Sequence, residues 1–192
     1  MKVYLGSRDV AKAESTVKQL QDRWGDRMSR IEPVANKEAA AAEVVILATA
    51  TDATVPTAEE YAALLAGKPV ISMANANRRC GAGFEPLRCE GSSIAEAVQK
   101  AAPEALVAAA LHHLPAAAFA NLDQPMVGDV LIVSDSLEAL RSTHALVSAM
   151  PDLRPLDGGS LGNAIGLEAF CALLLTVNLR YGGKATLRLL PT

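Results

Sequence analysis

A few short stretches of this chain carry side chains that could do chemistry. Gly6-Ser7-Arg8 follows the apolar start Lys2-Val-Tyr-Leu5 and sets a hydroxyl beside a guanidinium, with Lys12 a few residues further on. That grouping suits a phosphate dianion, which a carboxylate in the same slot would repel. Asn75 and Asn77 follow the apolar run Pro69 to Met73, and the adjacent His112 and His113 follow Ala105 to Ala110. Gly158-Gly-Ser-Leu-Gly-Asn163 opens a long apolar stretch. The ends of strand-like runs are where α/β proteins place ligands. No stretch has the spacing of a nucleophile-base triad, and Cys80, Cys89 and Cys171 are not spaced as metal pairs, so neither catalytic side chains nor a metal site are expected.

The elements that must position these groups read as an α/β fold. The chain has 192 residues, enough for one real core, and is 51% hydrophobic but only 4% aromatic, so that core must be built from Ala, Val and Leu. A net charge of -3 and a pI near 5.6 give no phosphate-seeking field and argue against nucleic acid as a partner. An odd number of cysteines and no secretory leader point to reducing cytoplasm. The longest apolar run, Ile165 to Val177, is interrupted by Glu168 and is shorter than a membrane span, so no membrane partner is expected.

Taken in order, Lys2 to Leu5 is a strand and Asp9 caps a helix from Val10 to about Trp24. Arg30 to Val34, with Pro33 inside it, is an edge strand, and Asn36 caps a short alanine-rich helix. Val44 to Ala48 and Pro69 to Met73 are continuous apolar runs, read as parallel strands buried on both faces. Thr49 to Asp52 is a small polar loop, Thr57-Ala-Glu-Glu60 a capping box opening a helix to Ala66, and Ala74 to Gly91 a long loop. Ser93-Ile-Ala-Glu96 is a second capping box and Ala105 to Ala110 a strand. Two adjacent histidines on a continuing strand point to opposite sides, so at most one faces a pocket. Asp129 to Val133 and Leu153 to Leu156 are strands, with a helix from Ser136 to Ala149 capped by Asp135. The last helix, Ala164 to about Arg180, has an apolar body at helical spacing that reads as core or homodimer interface. Glu168 lies inside that body and needs a hydrogen-bond donor.

His112 to Asp123, read with Met73-Ala-Asn-Ala-Asn77, Arg154 to Asn163 and Asn178-Leu-Arg-Tyr181, resembles the NADPH-dependent reductases of the deazaflavin coenzyme F420. The resemblance runs from Lys2 to about Leu190. It implies a Rossmann-like, doubly wound, mostly parallel sheet, truncated at its N-terminus, with a small C-terminal α+β part. Residues 1–134 would bind NADP, and residues 135–192 would complete the F420 site and supply a dimer interface. It further implies cofactor contacts at Ser7, Arg8 and Lys12 (the 2′-phosphate), Ala48 and Thr49 (the dinucleotide), and Asn75 and Ala76 (where nicotinamide and deazaflavin meet). His112, Leu114, Pro115 and Asn163 would lie on the deazaflavin side, and Arg78 and Arg79 could face the acidic tail of F420. Catalysis would be hydride transfer by positioning, because the two cofactors carry the redox chemistry.

The chain departs from the family at Ala118 and Ile165, where other members carry arginines, and it lacks the opening strand and glycine-rich loop. The departures leave room for two further readings: an NADP reductase of another substrate, and a non-catalytic F420-binding protein. Without the opening strand, Lys2 to Leu5 and Val44 to Ala48 should each lack a neighbour on one side, and roughly 25 to 30 upstream residues are expected to be needed for activity.

Overall fold

The computed structural model describes residues 1–87 and 92–190. In chain order the elements are β1 (Val3–Ser7), α1 (Val10–Trp24), β2 (Ile31–Ala35), α2 (Asn36–Ala39), β3 (Val45–Leu47), α3 (Thr51–Glu60), α4 (Ala62–Leu65) and β4 (Pro69–Ser72). They continue with β5 (Asn77–Cys80), β6 (Gly83–Pro86), α5 (Ile94–Ala101), β7 (Leu106–Ala109), α6 (Ala116–Phe119), β8 (Gly128–Ser134), α7 (Leu137–Ser148), β9 (Leu153–Asp157) and α8 (Ala164–Tyr181).

The main sheet has five strands in the order β3-β4-β7-β8-β9. All neighbours run parallel except β7 and β8, which meet antiparallel through Ala108↔Ser134 and Ala109↔Val133. Successive residues of a strand face opposite sides, and the core divides accordingly. Val70, Val107 and Ala109 pack with Ala58, Leu65, Val98 and Leu167 from α3, α4, α5 and α8, while Ile71, Ala108, Val130 and Ile132 pack with Ala139 and Val147 from α7. Helices therefore cover both faces, as a doubly wound Rossmann-like sheet requires. The expectation of one continuous core becomes two clusters back to back.

A second, two-stranded sheet pairs β1 with β2 in parallel, in register from Val3↔Ile31 to Ser7↔Ala35. Its cover is α1, whose start is set by the Asp9 carboxylate accepting from the Ala11 N–H and whose buried residues are Ala13 and Val17. Among the described residues, β1 pairs only with β2 and β3 only with β4. Val3 and Tyr4 on β1 and Ile46 on β3 are consequently about 40% exposed. Burial on both faces thus holds for β4 but not for β3.

Other local expectations are corrected. Residues 77–86 form the antiparallel hairpin β5–β6, which sits on α8 with the Phe84 N–H donating to Thr176 Oγ1. No alternation marks it, because Arg78 and Arg79 are both exposed; the end of the expected loop, with Cys89, lies outside the described residues. Thr57 does not open a helix, since α3 already starts at Thr51 and carries Pro56 inside it. Thr51 and Asp52 thereby leave the expected loop. Asn36 is the first residue of α2 and makes no side-chain cap. The cap of α7 is Ser136, whose hydroxyl accepts from the Ala139 N–H, while Asp135 accepts from the Leu161 N–H.

The turn Leu161–Asn163 continues into α8, and the 21 residues Leu161–Tyr181 hold an 18-residue stretch of mean hydropathy 1.5, long and apolar enough by length and composition to cross a membrane. It is built into the fold instead. Glu168, the carboxylate in its body, accepts from the Ile94 and Ala95 N–H groups at the start of α5. Burial pushes this carboxyl above the usual carboxylate range, and those two donors hold it back.

Candidate functional site

The C-terminal ends of β3, β4 and β7 open on one side of the main sheet, and a line of hydrogen bonds ties the segments that leave them. Thr51, at the start of α3, donates its hydroxyl to the Asn75 carbonyl (2.7 Å). The Asn75 amide donates in turn to the His112 carbonyl (3.1 Å). The same carbonyl accepts from the Cys171 thiol of α8 (3.1 Å). Three strand ends and the last helix are thus held together by bonds from side chains of Thr51, Asn75 and Cys171 to main-chain carbonyls.

Around this line lie buried polar atoms with no partner in the protein: Ser72 Oγ, Asn75 Oδ1, both amide atoms of Asn77, and both ring nitrogens of His112. Buried polar groups left in this way are costly and call for a ligand or water. The set is neutral and amide-like, matching the carbonyl and N–H edges of a carboxamide or of a flavin-type ring. His112 is only 3% exposed. Burial, reinforced by His113 beside it, pulls its pKa down to about 3, so the imidazole is neutral, with one donor and one acceptor.

His113 faces elsewhere. Its Nε2 lies 2.7 Å from the Asp129 carbonyl. A carbonyl only accepts, so this bond fixes the proton on Nε2. The expectation that at most one of the two histidines faces the site agrees with this arrangement, although β7 ends at Ala109, before either.

The other expected residues divide into two groups. Asn75, Ala76 and His112 come together at the strand ends, and Ala48 and Thr49 leave β3 beside them, with Thr49 Oγ1 2.9 Å from Thr54 Oγ1. Leu114 is buried in the cluster under β8 and α7 rather than lining an open face, and Pro115 precedes α6 at a cavity of about 120 Å³ shared with Ala118, Met126 and Lys184. Asn163 spends its amide on the Gly158 carbonyl (2.8 Å), closing its own loop. Ser7, Arg8 and Lys12 are grouped at the end of β1 and the start of α1, on the two-stranded sheet. Ser7 Oγ accepts from the Asp9 N–H, and Arg8 and Lys12 are exposed. Arg78 and Arg79 stand on β5, with Arg78 paired to Glu85.

Sequence reasoning pointed to Asn77 beside Asn75 without giving it a contact, and it missed Ser72 and Cys171, which sit in apolar runs and had no signal. Among the described residues, no group of three or more His, Cys, Asp or Glu side chains is placed to hold a metal.

Comparison with known proteins bears on this arrangement. Residues 1–76 match the family described as NADP oxidoreductase coenzyme F420-dependent. An F420-dependent NADP reductase of Methanocaldococcus jannaschii is 29% identical over 191 residues, covering 96% of this chain and 85% of that protein. The enzyme of the same name from Methanothermobacter marburgensis is 28% identical over 183 residues, covering 93% and 82%. Among solved structures, a provisionally assigned F420-dependent NADP reductase from Arthrobacter sp. FB24 superposes with a TM-score of 0.79 at 21% identity, covering 99% of this chain and 89% of that one. A hypothetical protein from Sinorhizobium meliloti follows at 0.63 and 24%, covering 85% and 88%. The two structures speak for the fold alone. The family match thus spans the first part of the chain, and the F420-dependent NADP reductases are similar to it over nearly its whole length.

Proposed function

We propose that this protein is an oxidoreductase that moves a hydride between NADPH and coenzyme F420. The observation that carries the reading is the likeness, over nearly the full chain, to enzymes named F420-dependent NADP reductases. The buried, neutral, partnerless atoms of Asn75, Asn77 and His112 at the strand ends support it.

When bound, the nicotinamide and the deazaflavin supply the hydride donor and acceptor. The chain's own residues bind, orient and exclude water. Ser7, Arg8 and Lys12 hold the 2′-phosphate, and the small side chains of Ala48, Thr49 and Ala76 let the dinucleotide come close. Asn75 and His112 offer donors and acceptors to ring edges, Pro115 and the buried Leu114 back the ring, and Asn163 shapes the glycine loop ahead of α8. His112 stays neutral and moves no proton, so the rate enhancement comes from positioning. Residues 1–134 form the NADP-binding part, and residues 135–192 complete the F420 site.

Two chains pair through the exposed apolar side of α8, where Leu173 is 63% exposed and Ile165 and Val177 lie on the same side. The enzyme works in the cytoplasm with small-molecule cofactors and neither nucleic acid nor membrane. Sedimentation velocity at micromolar concentration measures the pairing, and a single monomer peak would remove the dimer.

The test of the activity is to mix the protein with NADPH and oxidised F420 and follow loss of the F420 absorbance, with NADH as control. Hydride exchange with NADPH is expected. Binding of NADPH without binding or reduction of F420 would overturn the reading.

A further inference from the structure

Leu111 sits where its residue type does not belong. Its φ of 69° places a buried, 5% exposed leucine in the left-handed region, which a residue bearing a Cβ enters only at a cost. The other such non-glycine residue among those described, Asp152, is exposed, and aspartate tolerates that conformation. Strained backbone persists only where its surroundings hold it there.

The holding groups are all in the three residues that follow. The Leu114 N–H donates to the Leu111 carbonyl and closes the turn. The His112 carbonyl takes both Asn75 and Cys171. His113 donates to the Asp129 carbonyl, and Asp129 is itself pinned on every side. Its carboxylate takes Arg154 Nε at 2.8 Å and Arg154 Nη2 at 2.7 Å, together with the Leu189 N–H, while its own N–H donates to the Leu187 carbonyl. The turn is therefore tied through the Leu111 and His112 carbonyls, the Leu114 N–H and His113 Nε2, while both ring nitrogens of His112 and Nδ1 of His113 have no partner in the protein.

We infer that His113 is a positioning residue: anchored on Asp129, it holds the strained Leu111 turn so that His112 is presented to the bound ligand with both nitrogens free. The inference rests on the F420 reading for the ligand's identity, but the anchoring itself does not depend on it. Relaxation at Leu111 would swing His112 away from Asn75, and the ring edge would lose its contacts without any change at Ser7 or Arg8. The device acts on the deazaflavin side alone.

The chain has three histidines, His112, His113 and His144, so ring resonances of protein labelled on histidine are few enough to assign by substitution. His113→Leu removes the donor, and His113→Gln keeps an N–H within reach of the Asp129 carbonyl. In His113→Leu the His112 resonances are expected to move and F420 affinity, read by fluorescence titration, to fall about tenfold, the worth of one good hydrogen bond, with NADPH affinity unchanged within about twofold. His113→Gln should restore both. Arg154→Gln, which loosens Asp129 from outside, should move the His112 resonances in the same direction and serves should His113→Leu fail to fold. Unmoved His112 resonances, equal losses for F420 and NADPH, or a Gln variant no better than Leu would overturn the inference. A wild-type protein that does not bind F420 defeats the functional reading, and the resonances then still decide the anchoring.

Discussion

The two halves of the proposed ligand site are built on opposite principles. At the end of β1, Ser7, Arg8 and Lys12 are accessible side chains on a two-stranded sheet, and the only side-chain hydrogen bond among them is the local one at Ser7 Oγ. At the ends of β4 and β7, Asn75, His112 and His113 are buried or half-buried and tied by bonds that cross the sheet from α3 to α8. The difference follows from what each half has to hold. A phosphate is charged and bound by charge-assisted bonds that tolerate solvent, and long side chains can reach for it. A neutral ring edge offers a few weak bonds that count only when water is absent and the partners are already in place.

That contrast can be tested most severely by acid. His112 is buried neutral with its pKa held near 3, against 6.5 when unfolded, so the unfolded chain takes up the proton between those values. Its contribution is therefore fully present above pH 6.5 and lost as pH falls toward 3, by on the order of 4 kcal/mol in all. Urea unfolding at steps from pH 7 to pH 4 should show wild type losing stability faster than His112→Asn. Parallel curves would mean that the ring side is no drier than the phosphate side.

Arg8→Ala probes the open half. NADPH affinity should fall roughly 10- to 100-fold, the worth of one or two charge-assisted bonds, with NADH affinity and melting temperature unchanged. Calorimetric titration of both nucleotides decides it, and equal losses would detach Arg8 from the phosphate.

The smallest expected effect lies at the seam. Thr51→Val keeps the shape but removes the bond from the start of α3 to the loop after β4, at a cost of about 1 kcal/mol in unfolding free energy. If the two halves are as separate as they look, F420 affinity should fall severalfold and NADPH affinity only slightly. A larger loss for NADPH would show that the comparison is drawn too sharply.

How far the sequence could be read follows the same division. Elements declared by local chemistry were legible: the Asp9 cap and helix to Trp24, the Ser93–Glu96 capping box, the apolar runs of β4 and β7, and the need of Glu168 for donors. The hairpin β5–β6 was not, because its stability comes from α8, 92 residues away between Phe84 and Thr176. Thr57 misled because Thr57-Ala-Glu-Glu60 has the residues of a capping box, whereas α3 already starts at Thr51 and runs straight through Pro56. At the site, residue types pointed to His112 and Asn75, but the bond between them joins residues 37 apart, and the conformation of Leu111 has no signature in a leucine.

The open flanks of β1 and β3 have a consequence for how the protein behaves in bulk. A strand flank with no ladder partner among the described residues, carrying Val3 and Tyr4 on one strand and Ile46 on the other, is a template on which a further strand can be laid. A net charge of -3 is a weak deterrent to such growth. A lysine at position 3 or 46 would guard these flanks, as charged residues guard the margins of natural sheets.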